Sequence, residues 1–152
     1  MSAVIAAIVS VLLKRFDYKN DYYKNIINRR LNVYTSLEQI LFNLKATEEK
    51  YANERPYYKN IASISDIEFI QDKISHLLSS GIWINIATLN IIKTINSKLS
   101  AFSLDISQET DDIKLTHLLQ EKYIDYYNLF ENLEKSIKED LSKIHKVESF
   151  FK

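Results

Sequence analysis

Residues 23–51, YKNIINRRLNVYTSLEQILFNLKATEEKY, set Tyr23, Ile27, Arg30, Tyr34, Leu37, Leu41, Leu44 and Tyr51 at steps of three and four, with one gap. That spacing returns side chains to one stripe of an α-helix and makes a heptad seam. Arg30 interrupts the seam, as does Glu48 in the gap. No helix breaker lies between Leu13 and Pro56, so one helix is predicted to run to about residue 52. The segment ANERP (52–56) then ends it, because the residue before a proline avoids the helical region.

Three further helices follow from the same reasoning. Ser65 and Glu68 read as a capping box ahead of Ile67, Ile70, Ile74, Leu77 and Leu78. Gly81 stands where a left-handed C-terminal cap is wanted. Asn85 suits the N-cap of a third helix burying Ile86, Leu89, Ile92, Ile95, Leu99 and Phe102, with a short connection over 102–107. Ser107 can cap a fourth helix, and Glu109, Asp111 and Asp112 in its first turns suit the helix dipole. Leu119, Tyr123, Tyr126, Phe130, Leu133, Ile137, Leu141 and Ile144 mark its seam, and no breaker interrupts it to the C-terminus.

The expected fold is all-α: an up-down-up-down antiparallel four-helix bundle. Its first and last helices are long and its middle pair short, so near the N-terminus the outer two should form an antiparallel coiled coil. Simple reflection sets Tyr34 beside Tyr126 and Tyr127, and Trp83 in the link between the short helices is expected to pack between helices. The same reflection returns Phe150 and Phe151 to the start of the chain, where they either dip into lipid headgroups between Lys146 and Lys152 or cap the seam.

One Gly and one Pro in 152 residues disfavour β-rich folds, whose turns need both. The absence of cysteine excludes a disulfide framework and thiolate chemistry. Net charge is zero but unevenly laid out. Residues 14–45 hold seven Lys/Arg against three Asp/Glu, and residues 105–152 hold seven against eleven. A basic first helix and an acidic last one attract each other if they pack side by side.

Two segments are distinguished: an apolar opening, residues 1–13, continuous with the first helix, and a single helical domain, 14–152. Residues 3–13, AVIAAIVSVLL, carry no charge and leave no polar face on a helical wheel, so they must be buried in protein or in lipid. Nothing basic precedes them and bulky residues follow, unlike a cleaved export signal. As a helix, residues 2–13 rise about 18 Å against a hydrocarbon core of about 30 Å. The opening is therefore either a short anchor or part of a longer span. Lys14, Arg15 and Lys19, with Phe16 and Tyr18 among them, form a collar that marks a membrane interface with the domain on the cytoplasmic side, a single-pass protein. The alternative is burial of these helices against one another in an oligomer. Tyr mixed with Lys and Arg also suits nucleic acid. The collar explains better why the cluster follows an apolar run, so no nucleic-acid partner is expected.

Sequence motifs for catalysis are absent. No residue three before His76, His117 or His145 is acidic, no HExxH or EF-hand loop occurs, and one glycine cannot build a phosphate-cradling loop. The carboxylate pairs Asp111/Asp112 and Glu139/Asp140 fall in charged stretches and read as solvated. No enzyme activity, metal or cofactor is expected.

The stretch RFDYKNDYYKNIINRRLNVYTSLEQILFNL (15–44), with Tyr23, Lys24, Ile27, Arg30, Leu31 and Tyr34, resembles small bacterial membrane-anchored all-helical proteins that have one N-terminal span and a long following helix. GIWIN (81–85), with Trp83 and Asn85, is similar to their inner hairpin, and the resemblance covers about residues 14–90. The shorter apolar start departs from that pattern. The resemblance implies architecture and anchoring, and no activity. The expected function is a membrane-tethered interaction module whose partners are lipid and a protein or a second copy. The alternatives are a soluble oligomer of a host-takeover or defence system, and a ligand- or nucleotide-sensing bundle.

Overall fold

The computed structural model describes residues 2–49 and 56–144, with the backbone alone for 2–13, 15, 16 and 18. The chain is a helical bundle: α1 (Ser2–Leu44), a two-residue ladder of β1 (Thr47–Glu48) with β2 (Tyr57–Tyr58), α2 (Ile64–Ser79), α3 (Ile86–Gln108) and α4 (Asp112–Ser142). Helix α1 packs on α2 and on α4, and α3 packs on the same two.

Helix α1 stops at Leu44, eight residues before the expected end. Tertiary contacts override local propensity there. The chain turns back so that Thr47 pairs with Tyr58, and the Lys59 N–H donates to the Ala46 carbonyl at 3.0 Å. The Asn60 side-chain amide donates to the Asn43 carbonyl at 2.8 Å, occupying an acceptor that the end of α1 leaves open. The turn carries Tyr58 into the core, where its ring stacks on Tyr123 and meets the edge of Phe130, each at 4.9 Å.

Side-chain caps begin the later helices. Ser63, not Ser65, caps α2: its hydroxyl accepts from the Asp66 N–H and donates to the Asp66 carboxylate at 2.6 Å. Asn85 caps α3 and accepts from the Ala87 N–H. Asp111, rather than Ser107, caps α4 and accepts from the Ile113 and Lys114 N–H groups. Helix α3 continues through 102–108 because nothing there breaks it, and because Ile106 extends the buried row of Ile92, Ile95, Leu99 and Phe102. Ile86, expected inside, is exposed. Gly81 opens a 3-10 turn, Gly81–Trp83, without a left-handed backbone, and Ser80 closes α2 instead.

The buried row of α1 is Ile26, Arg30, Tyr34, Leu37, Ile40, Leu41 and Leu44, and that of α4 is Leu119, Tyr126, Phe130, Leu133, Ile137 and Asp140. Polar contacts set residue 30 against 144, residue 34 against 140, and residue 45 against 131 and 134. Tyr34 therefore does not lie beside Tyr126 and Tyr127. Its partner is fourteen residues further along α4 than Tyr126, about 21 Å of helix. The reflection assumed outer helices of similar reach. Instead α1 ends early, and the first half of α4 packs on Tyr58 and α3.

From Lys14 to Asn25 every described side chain is exposed, and the first buried one is Ile26. Among the described residues no helix is long and apolar enough to cross a membrane. The apolar start is short, and Lys14, Arg15 and Asp17 follow it at once. The transmembrane helix expected at the N-terminus is accordingly not found.

Candidate functional site at the root of the first helix

Where α1 enters the bundle, a layer of polar side chains replaces the apolar seam. Arg30 and Tyr34 are one turn apart and share a face of α1. Arg30 is 1% exposed, Tyr34 and Thr88 are fully buried, and Asp140 is 6% exposed. Buried charges and hydroxyls persist only when partnered, since an unsatisfied one costs about 1–3 kcal/mol and an unpaired charge more.

The partners come from three helices. The Tyr34 hydroxyl donates to Asp140 Oδ2 at 2.6 Å and accepts from the Asn85 backbone N–H at 3.3 Å. Thr88 Oγ1 donates to the same carboxylate oxygen and lies 2.6 Å from Ser136 Oγ. Arg30 Nη1 donates to the Ile144 carbonyl at 3.1 Å. Each charge also meets a helix end of suitable sign. Thr88 is in the first turn of α3, so Asp140 sits against the positive end of that helix's dipole, and Arg30 bonds a carbonyl two residues past the C-terminal end of α4.

Burial pushes the Arg30 guanidinium below its ordinary value, opposed by Tyr34 and Asp140. Burial, and then the bond to Asp140, push the Tyr34 phenol well above its ordinary value, which keeps its proton available for donation. The layer holds together by hydrogen bonding rather than by proton exchange.

Asp140 was missed by the sequence reading, which placed Glu139 and Asp140 in solvent. Glu139 is exposed, but Asp140 is buried because α4 turns it inward three residues after Ile137. The signal was present. Asp140 continues the rhythm of Leu133 and Ile137, and Arg30 sits in the facing seam, so two opposite charges occupy core positions of the outer helices.

Other candidate residues lie elsewhere. Trp83 is half-buried in the 3-10 turn, with the Arg29 guanidinium 5.7 Å from its ring centre. Tyr126 is buried against Phe102 and Phe130 and donates to the Lys98 carbonyl, whereas Tyr127 is exposed, its ring 6.2 Å from Tyr123. Lys14 and Lys19 are exposed, and Arg15, Phe16 and Tyr18 lie within α1. Phe150, Phe151 and His145 fall outside the described residues.

At the far end of α1, Lys45 donates to Glu131 and Glu134, and Lys138 also donates to Glu134. A groove of about 380 Å³ runs between α1 and α2, floored by Val33, Ile40 and Leu77 and edged by Ser36, Lys73 and His76. Among the described residues no three His, Asp or Glu side chains converge as a metal site. No protein family, characterised protein or solved structure was found to match this chain.

Proposed function

We propose that the chain is a non-catalytic helical interaction module tethered to a membrane by the start of α1. The observation carrying this reading is that α1 runs as one helix from Ser2, well before Ile26, the first buried side chain among the described residues. Residues 2–25 make an arm about 36 Å long. The first half of that arm is apolar in sequence, and the second half carries the Lys, Arg and Tyr collar. A helix whose sequence is apolar all round calls for burial in protein or in lipid. The resemblance of residues 14–90 to membrane-anchored helical proteins points the same way. In this reading the body is an up-down-up-down bundle on the cytoplasmic side, with α1 and α4 wound together near the arm.

Fractionation of the full chain after expression tests the tether. The protein should sediment with membranes and need detergent for release. Recovery wholly in the soluble fraction without detergent overturns the reading.

The second reading is a soluble oligomer whose apolar N-terminal helices bury one another; among the described residues no helix is long and apolar enough to cross a membrane. Deleting residues 1–13 separates the two. Loss of an oligomer with unchanged partitioning supports the second, and release from membranes supports the first.

A further inference from the structure

We infer that the Arg30–Tyr34–Thr88–Asp140 layer is a register lock that fixes the direction in which α1 leaves the bundle, whether the arm meets lipid or a second copy. An apolar seam of leucine, isoleucine and aromatic residues repeating at three and four tolerates sliding. After a shift of one turn, about 5.4 Å, most apolar side chains still meet apolar side chains. The polar layer does not tolerate it. A one-turn shift of α1 takes the Tyr34 hydroxyl away from Asp140 and from the Asn85 N–H, and takes Arg30 away from the Ile144 carbonyl, so buried polar groups lose the partners they have in the native register.

The lock is triangulated. Asp140 binds α1 through Tyr34 and α3 through Thr88, and Arg30 binds the end of α4 through Ile144. Asn85, the cap of α3, closes the figure on the Tyr34 hydroxyl. These contacts fix translation and rotation of α1 one turn inside Ile26, the first buried side chain among its described residues. Beyond that point a small rotation is magnified along the arm. Buried polar layers of this kind add little net stability, because well-packed apolar side chains serve as well or better; their best-attested role is to specify register.

The absence of cysteine permits a direct test. Spin labels are placed at N20C on the arm and S79C at the end of α2, both exposed positions, and their distance distribution is measured by pulsed electron resonance on the full chain. The parent should give one narrow distribution. The apolar variant R30M/Y34F/T88V/D140L should melt at the parent temperature or higher and give a distribution at least twice as wide, or two populations. A cooperative melt with an unchanged single narrow distance overturns the lock. If the fourfold variant does not melt cooperatively, Tyr34→Phe decides. Removing that one hydroxyl should broaden the distribution by at least half, and unchanged width overturns the proposal.

Discussion

Two clusters of charge bind α1 to α4, and they differ in kind. At the root of the arm, Arg30 and Asp140 are buried, Asp140 accepts from the Tyr34 and Thr88 hydroxyls, and Arg30 donates to the Ile144 carbonyl. At the other end, Lys45, Glu131, Glu134 and Lys138 form a partly exposed clamp between two helices. Both set a cation near a carboxylate, but water competes with one and not with the other. The exposed clamp can break and re-form at little cost. The buried layer must be complete or absent, since a half-removed layer strands a charge away from water. Burial turns the same chemistry from a modest attraction into a requirement for one alignment.

The comparison breaks first at Asp140. Asp140→Ala leaves Arg30 without the nearby carboxylate and Tyr34 and Thr88 without their acceptor, and should cost about 3–5 kcal/mol in urea denaturation. A loss below about 1 kcal/mol would place Asp140 among ordinary surface residues. Tyr34→Phe keeps the ring and removes one donor, leaving Asp140 with Thr88, so a smaller loss of about 1–3 kcal/mol is expected by the same measurement. Lys45→Ala at the exposed clamp should cost about 0.2–1 kcal/mol, and added salt should shrink the difference.

The smallest effect concerns pH. The bonds from Lys138 and Lys45 hold the Glu134 carboxyl at about 2, down from an ordinary 4.5. A depressed folded-state value means that the carboxylate stabilises the fold above its unfolded-state value, and that this is lost as pH falls through the window from 4.5 to about 2. Glu134→Gln should therefore flatten acid-induced loss of stability over that window by a few tenths of a kcal/mol. An identical acid profile in parent and variant would show that the clamp does not form in solution.

Much of this architecture was legible in the chain. The α2 row Ile67, Ile70, Ile74 and Leu77 and most of the α4 row follow from spacing alone, because a helix buries whatever recurs at three and four. Asn85 was legible as a cap because capping is local. What escaped depended on distant partners. Leu44 ends α1 because Tyr58 and Asn60 return to it across a turn. The offset of Tyr34 on α4 depended on that early end. Arg30 looked like a flaw in the seam, and Asp140 looked solvated, because each was judged without the other.

The side-chain caps at Ser63, Asn85 and Asp111 have a consequence of a different order. Each later helix carries its own starting signal, and only residues 109–111 join α3 to α4. Nucleation can therefore begin locally in the last two thirds of the polypeptide, where contacts close in sequence form fastest. The arm's alignment joins residues more than a hundred positions apart, so it is settled late in folding, after the hairpins that receive it have formed.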